Sequence, residues 1–133
     1  MKKLSIALAA LGLTVAAGLA TATPALAAPA ADWSCPGGYV CFYTGVNGTG
    51  ARCAWDVSDS DWLRGDVRCS WASIAPTVVS AYVTTGTAGS VRLYSGVNYS
   101  TEVDCITNGR KQNYSPNRIR VLSHRLYSNG CQT

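Results

Sequence analysis

An internal repeat constrains this chain more than any other feature of its sequence. The stretch VCFYTGVNGTGARC at residues 40–53 returns as VRLYSGVNYSTEVDC at residues 91–105. At an offset of 51 residues, the identical pairs are Val40 and Val91, Tyr43 and Tyr94, Gly45 and Gly96, Val46 and Val97, and Asn47 and Asn98. Self-similarity of this kind indicates a duplicated structural unit.

Each copy of the repeat predicts a β-hairpin. Segments 40–43 and 91–94 are rich in β-branched and aromatic residues, which suit a pleated, half-buried surface. The Gly-Val-Asn turns that follow tolerate the positive φ of a tight turn. Second strands are predicted at 51–57 and 102–106. Because a lone hairpin is only marginally stable in water, the two copies must pack on each other or on further strands.

The rest of each half predicts a connection and a returning strand. In the first half, an acidic loop at 56–66 and a possible strand at 69–74 lead to a strand at 77–84. In the second half, the Asn108-Gly109 turn and a connection at 111–116 lead to a strand at 118–122.

Two prolines align these returning strands. Pro76 and Pro116 precede Val79 and Ile119 by the same distance, and Ile119 alternates with arginines expected to face water. A hairpin, a connection and a returning strand make a Greek key. No long amphipathic helix is predicted, so the expected class is all-β.

The N-terminus predicts export. Two lysines, an uncharged run and the Ala25-Leu26-Ala27 site form a signal peptide. The alternative is a membrane anchor, because residues 4–31 carry no charge and could span a bilayer. Pro24 and the cleavage site favour removal, which gives a secreted, extracellular protein with no membrane attachment. The predicted divisions are a signal peptide at 1–27, a flexible leader at 28–34, and one domain at 35–133 with motif one at 35–85 and motif two at 90–133.

Six cysteines follow the predicted cleavage site, namely Cys35, Cys41, Cys53, Cys69, Cys105 and Cys131. An even number in a small exported domain predicts three disulfides. Six cysteines allow 15 pairings, and proximity in the sequence favours Cys35–Cys41, Cys53–Cys69 and Cys105–Cys131. Zinc binding is disfavoured, because there is no Cys-x-x-Cys motif and there is a single histidine.

The charge is mild. Without the two lysines of the signal peptide, the net charge falls from +4 to +2, since 11 basic residues become 9 against 7 acidic ones. A balance this close to neutral does not indicate a nucleic-acid or membrane partner. The basic residues near the C-terminus are interpreted as the solvent-exposed face of a β-sheet; they are Arg110, Lys111, Arg118, Arg120 and Arg125.

These patterns resemble the βγ-crystallin superfamily. The features that carry the resemblance are an aromatic-rich first strand and a glycine-bearing hairpin in each half. The start Cys-Pro-Gly-Gly-Tyr-Val-Cys at 35–41, followed by Phe42-Tyr43, is similar to small secreted bacterial proteins grouped with the streptomycete metalloproteinase inhibitor. The resemblance implies a disulfide-stabilised β-sandwich of two repeated Greek-key motifs.

The resemblance also implies inhibition of thermolysin-like zinc proteases. In the characterised relative, a disulfide-bounded loop in the second half carries this activity. No closely spaced cysteine pair follows Cys69 here, so that loop has no counterpart. The resemblance as a whole, and not that loop, predicts a secreted, monomeric peptidase inhibitor whose partner is an extracellular metalloprotease. The candidate contact residues lie in the repeat turns, at Gly45, Val46 and Asn47 and at Gly96, Val97 and Asn98.

Catalysis is not predicted. His124 is the only histidine and is expected on the surface, and there is no Gly-x-Ser-x-Gly elbow. The aspartates Asp59, Asp61 and Asp66 crowd into one loop, which suits a solvated segment better than a two-sided cleft. No catalytic residue, metal site or cofactor is therefore assigned.

Crystallin-type modules bind calcium through an acidic pair and a hydroxyl pair before the returning strand, so the resemblance raises the question of a calcium site. Alignment on Val79 and Ile119 puts Ser73-Ile74 and Asn113-Tyr114 at the acidic positions. The hydroxyl positions then hold Thr77-Val78 and Asn117-Arg118. Ile74 and Val78 bring no oxygen ligand, which a hard cation requires, and Arg118 brings a repelling charge, so both sites are interpreted as degraded.

The alternative function is a non-inhibitory structural, cell-wall or carbohydrate-binding module, possibly stabilised by calcium. It rests on four tryptophans, Trp33, Trp55, Trp62 and Trp71. Exposed tryptophans stack on ligands, whereas those of a thin sandwich more often fill the core. Trp55 and Trp71 are predicted in the core, and Trp62 is left open between the two.

Overall fold

A computed structural model of the protein describes residues 32–132, except for residues 85 and 87. The predicted signal peptide at 1–27 lies outside these residues. Within them the chain is all-β, with two short 3-10 helices. The strands are β1 (Val40–Tyr43), β2 (Arg52–Trp55), β3 (Thr77–Val78), β4 (Ser80–Val83), β5 (Ser90–Tyr94), β6 (Glu102–Thr107), β7 (Lys111–Asn113), β8 (Ile119–Arg120) and β9 (Ser123–Tyr127), and the 3-10 helices are Val46–Gly48 and Ser70–Ser73.

The strands form two main antiparallel sheets around one core. The first sheet has the order β2-β1-β4-β7 and the second has the order β6-β5-β9, while β3 pairs with β8. Alternating residues of β1 and β5, such as Phe42 and Leu93, are fully buried between the sheets. This arrangement confirms the predicted crystallin-like sandwich.

The two halves exchange edge segments. Strand β7 belongs to the second half but pairs with β4 of the first sheet. In return, Asp59 of the first half forms an isolated bridge with His124 on β9 of the second sheet. The predicted division into 35–85 and 90–133 stays a prediction, and each of these halves completes the other's sheet.

The repeated turns have equivalent geometry. Asn47 and Asn98 both adopt a φ of 55°, in the left-handed region. The N–H of Gly45 donates to the carbonyl of Thr49 at 2.9 Å, and the N–H of Gly96 donates to that of Ser100 at 3.1 Å. The duplication read from the sequence is thus a structural duplication.

A buried serine closes each turn onto the returning strand. The Ser80 hydroxyl accepts the N–H of Gly48 at 2.9 Å and donates to the carbonyl of Gly45 at 2.6 Å. The Ser123 hydroxyl likewise accepts from Tyr99 at 3.2 Å and donates to Gly96 at 2.6 Å. These contacts make Ser80 and Ser123 structural equivalents.

The alignment of Val79 with Ile119 was wrong. The N–H of Val79 donates to the Tyr43 carbonyl at 2.9 Å, and the equivalent donor to the Tyr94 carbonyl, also at 2.9 Å, is Leu122. Prolines mark loop geometry rather than strand register, so equal proline spacing misplaced the second returning strand by three residues.

Two strand predictions and one predicted connection need correction. Segment 69–74 is not a strand but contains a 3-10 helix, in which the Ser73 hydroxyl donates back to the Ser70 carbonyl at 2.7 Å. Segment 118–122 holds only the two residues of β8, and the long returning strand is β9. The connection at 111–116 contains β7, an exposed edge strand without the hydrophobic alternation that would reveal it.

Candidate functional site

The first predicted contact turn is tied to its neighbours. Gly45, Val46 and Asn47 are all half-buried. The N–H of Asn47 donates to Oδ1 of Asn113 at 2.8 Å, and Nδ2 of Asn113 donates to Oδ1 of Asn47 at 2.8 Å. The Asn47 carbonyl accepts the N–H of Asp32 at 3.0 Å. Most of the polar capacity of this turn is therefore used inside the molecule.

The second predicted contact turn is more open. Val97 is 38% exposed and Asn98 is also exposed, whereas Gly96 is half-buried. The N–H of Asn98 donates to the carbonyl of Ser60 at 2.7 Å. This bond holds the second turn against the acidic loop of the first half.

Residues 63–68, with the sequence LRGDVR, form an exposed loop that was not singled out from the sequence. All six residues are exposed, while Trp62 before them and Cys69 after them are buried. Leu63 and Val67 are each 40% exposed. A sequence signal was present, since a glycine and alternating charges lie between a tryptophan and a cysteine. We refer to this segment as the 63–68 loop.

The base of the 63–68 loop is fixed by three kinds of bond. The N–H of Cys69 donates to the carbonyl of Trp62 at 2.9 Å, which closes the loop. The Cys53–Cys69 disulfide joins this point to β2. Oδ1 of Asp61 accepts the N–H of Leu63 at 3.0 Å, so the carboxylate orients the first residue of the loop.

Trp62 anchors the loop in a buried aromatic cluster. Its ring stacks on Trp55 with centroids 4.8 Å apart and packs on Phe42 at 4.7 Å. Its Nε1 donates to Nδ1 of His124 at 2.9 Å. The residue left open in the sequence therefore belongs to the core, and so does Trp55 as predicted, while Trp71 is half-buried against the core.

The surface assignment of His124 was wrong. The side chain is fully buried, with Nε2 lying 2.9 Å from the Val57 carbonyl. Burial lowers the pKa of His124 to about 4, because the charged ring would lose its hydration, although the bond to Val57 acts in the opposite direction. His124 lies on β9, and this strand was not predicted because its buried polar groups form hydrogen bonds with partners that are distant in sequence.

A cleft of about 250 Å³ lies beside the 63–68 loop. The lining residues are Trp55, Val57, Ser58, Asp59, Ser60, Gly65, Asp66, Val67 and Tyr99. It lies between the loop and Tyr99 of the second repeat turn. The loop, the cleft and the second turn therefore form one continuous surface.

The acidic loop has a structural role. Oδ2 of Asp59 accepts the indole N–H of Trp55 at 2.8 Å, and Oδ1 accepts the N–H of Asp61 at 2.8 Å. Among the residues that the structure describes, no group of three or more His, Cys, Asp or Glu side chains could hold a metal ion.

The six cysteines form three disulfides. They join Cys35 to Cys41, Cys53 to Cys69 and Cys105 to Cys131. Each pair consists of nearest neighbours in the sequence, as proximity favoured. In the described part of the chain, no helix has the length and apolar character needed to cross a membrane.

The family model described as peptidase inhibitor family I36 matches residues 28–106, which is more than half of the chain. The chain belongs to peptidase inhibitor family I36. The protein is therefore a peptidase inhibitor and not an enzyme. The matched region includes both repeat turns and the whole 63–68 loop. No curated protein matches the sequence.

Proposed function

We propose that this I36 inhibitor is exported and blocks the substrate cleft of an extracellular metalloprotease with the 63–68 loop. Export is supported by the predicted signal peptide at 1–27 and by three disulfides, which form and persist in oxidising compartments. The metalloprotease target follows from the sequence resemblance to the streptomycete metalloproteinase inhibitor. Inhibition itself follows from family membership.

The observation that carries the loop mechanism is the contrast between the loop and its base. Six consecutive exposed residues lie between Trp62 and Cys69, which are both buried and hydrogen-bonded to each other. A substrate-like segment must be accessible to enter a protease cleft. A segment that is already ordered loses less conformational entropy on binding than a free peptide does.

The apolar residues of the loop supply anchors. Leu63 and Val67 expose 40% of their surface although both are hydrophobic. Burial of such side chains at the centre of an interface stabilises it by roughly 25 cal/mol for each Å² of apolar surface removed from water. The second turn, whose Tyr99 lines the cleft, adds the exposed Val97, so the predicted contact residues Gly96, Val97 and Asn98 form the rim of the proposed interface.

The test is inhibition of a thermolysin-like metalloprotease by the oxidised protein. We expect Leu63→Asp and Val67→Asp to raise the inhibition constant by at least about tenfold, since a charge would have to be buried at the interface. Val103→Asp is the matched control, because Val103 is 41% exposed but lies on β6. Equal effects of all three substitutions, or no inhibition by the unmodified protein, would contradict the proposal.

The burial of Trp62 weakens the carbohydrate-binding alternative. Its ring packs on Phe42 and Trp55 and is not available to stack on a sugar. Trp33 is half-buried and packs edge-on against Tyr43 with centroids 6.1 Å apart. Sedimentation with insoluble cell-wall glycan tests this alternative, and binding that survives all loop substitutions would support it.

A further inference from the structure

Arg64 is a highly accessible charged residue of the 63–68 loop. Its side chain is 86% exposed. Its Nε lies 3.7 Å from Oδ2 of Asp61, and an exposed ion pair at this distance contributes little to stability. The guanidinium is therefore free to leave Asp61 and enter a binding pocket at small cost.

The backbone around Arg64 is held while its flanks stay exposed. The N–H of Arg64 donates to the Asp61 carbonyl at 2.9 Å, which fixes the turn that presents the side chain. The next residue, Gly65, has a φ of 90° and open space around its Cα. A protease cleft that receives Arg64 therefore meets no side chain at the following position.

Arg68 lies in a different setting. The following residue, Cys69, is buried in a disulfide and its N–H is bonded to Trp62. Residues 70–73 then form a 3-10 helix. A protease that placed Arg68 in its specificity pocket would collide with this base, so Arg68 is a matched arginine in the same loop but in a blocked position.

We propose that the 63–68 loop also inhibits arginine-specific serine peptidases, with Arg64 as the residue that enters their specificity pocket. The pocket of trypsin-like enzymes ends in an aspartate, which pairs with a guanidinium. The inhibition is occupancy of the cleft, and the Arg64–Gly65 peptide bond stays intact. This inference rests on the loop part of the proposed function and not on its metalloprotease target.

The experiment measures the inhibition constant of the full-length, oxidised protein against trypsin and, in parallel, against thermolysin. We expect inhibition of trypsin by the unmodified protein. Arg64→Ala is expected to raise the trypsin inhibition constant about 100-fold or more, because the aspartate of the pocket would stay buried and unpaired. Arg64→Lys is expected to restore most of the inhibition, which a merely structural role of Arg64 would not predict.

Two variants serve as controls. Arg118→Ala removes an exposed charge outside the loop and is expected to leave the trypsin constant within about twofold of the unmodified value, as surface changes away from an interface usually do. Arg68→Ala is expected to cost less than fivefold, whereas Arg68 as the inserted residue would reverse the two effects. Near-ultraviolet circular dichroism and the mass of the oxidised protein verify that each variant is folded.

Three results would overturn the inference, namely no inhibition of trypsin, equal constants for the unmodified protein and Arg64→Ala, or rapid cleavage after Arg64 without inhibition. Inhibition of thermolysin without inhibition of trypsin would overturn this inference and leave the proposed function intact. Inhibition of trypsin without inhibition of thermolysin would support this inference and overturn the metalloprotease target.

Discussion

Nε1 of Trp62 donates a hydrogen bond to Nδ1 of His124 at 2.9 Å inside the core. Because Nδ1 is the acceptor, the ring proton is on Nε2, which donates to the Val57 carbonyl at 2.9 Å. His124 thus joins β9 of the second half to Val57 and Trp62, the two ends of the segment that precedes the 63–68 loop. The neutral ring is a structural requirement, since a protonated Nδ1 could not accept this bond.

This arrangement predicts a loss of stability in acid. The pKa of His124 falls from an ordinary 6.5 to about 4 on folding, so below pH 6.5 the unfolded chain binds a proton that the folded chain does not. The contribution of the neutral His124 ring to the unfolding free energy is fully present above pH 6.5 and is lost as the pH falls towards 4. A shift of this size corresponds to about 3 kcal/mol of unfolding free energy.

Urea unfolding at a series of pH values between 7.5 and 4 measures the effect. His124→Asn is the comparison, since asparagine keeps hydrogen-bonding capacity but does not titrate. We expect the difference in unfolding free energy between the two proteins to shrink as the pH falls. Parallel profiles would show that His124 does not titrate with a lowered pKa.

A second prediction isolates the indole donor. Trp62→Phe removes the hydrogen bond and leaves Nδ1 of His124 buried without a partner, a loss of about 1–3 kcal/mol beyond the change in packing. Trp71→Phe is the matched control, because Nε1 of Trp71 is buried and has no hydrogen-bond partner in the described structure. We expect thermal and urea unfolding to show the larger loss for Trp62→Phe, and equal losses would refute the importance of this bond.

Much of the fold was predictable because the repeat encodes it locally. Strand β1 has the predicted bounds, and the positive φ of Asn47 and Asn98 agrees with the predicted turns. Each of these features depends on residues close together in sequence. The pairing of nearest cysteines has the same origin.

The parts that were missed depend on distant partners. Strand β9 contains Ser123 and His124, which look like surface residues until Gly96 and Trp62 are placed beside them. Strand β7 is exposed on an edge and gives no alternating pattern. The 63–68 loop was missed for a similar reason, because its importance comes from the buried base on either side of it.

The paired serines supply a third prediction. Ser80→Ala removes the acceptor of the Gly48 N–H, which lies in a buried environment, and should lower the unfolding free energy by about 1–3 kcal/mol. Ser123→Ala should have an effect of similar size, since its hydroxyl makes equivalent bonds to Gly96 and Tyr99. Chemical denaturation measures both. Losses below about 0.5 kcal/mol at both positions would contradict the structural equivalence.

The corrected register gives a fourth prediction, on calcium. Counted back from Ser80 and Ser123, the positions of the acidic pair in crystallin-type modules hold Ala75-Pro76 and Arg118-Ile119. None of these side chains offers an oxygen ligand, which a hard cation requires. We expect the melting temperature to be unchanged within error by about 5 mM calcium, a concentration above the dissociation constants of about 10⁻⁴–10⁻³ M that are typical of weak extracellular sites. A rise of several degrees would show that calcium binds the folded protein.

The last prediction separates the stability of the fold from the ordering of the 63–68 loop. Replacement of Cys53 and Cys69 by alanine opens a bridge across 16 residues, and replacement of Cys105 and Cys131 opens one across 26. Each loss should lower the unfolding free energy by about 3–4 kcal/mol, so the two double variants are matched in stability.

The inhibition constant should distinguish the two double cysteine variants. Of these two bridges, only Cys53–Cys69 helps to hold the base of the loop, so its removal frees residues that would have to be ordered again on binding, at about 1–2 kcal/mol per residue. We expect the inhibition constant to rise by about 10-fold or more for the variant without Cys53 and Cys69, measured at a temperature where both variants are folded. The variant without Cys105 and Cys131 should inhibit nearly as well as the unmodified protein, and a greater loss in that variant would place the contact surface in the second half.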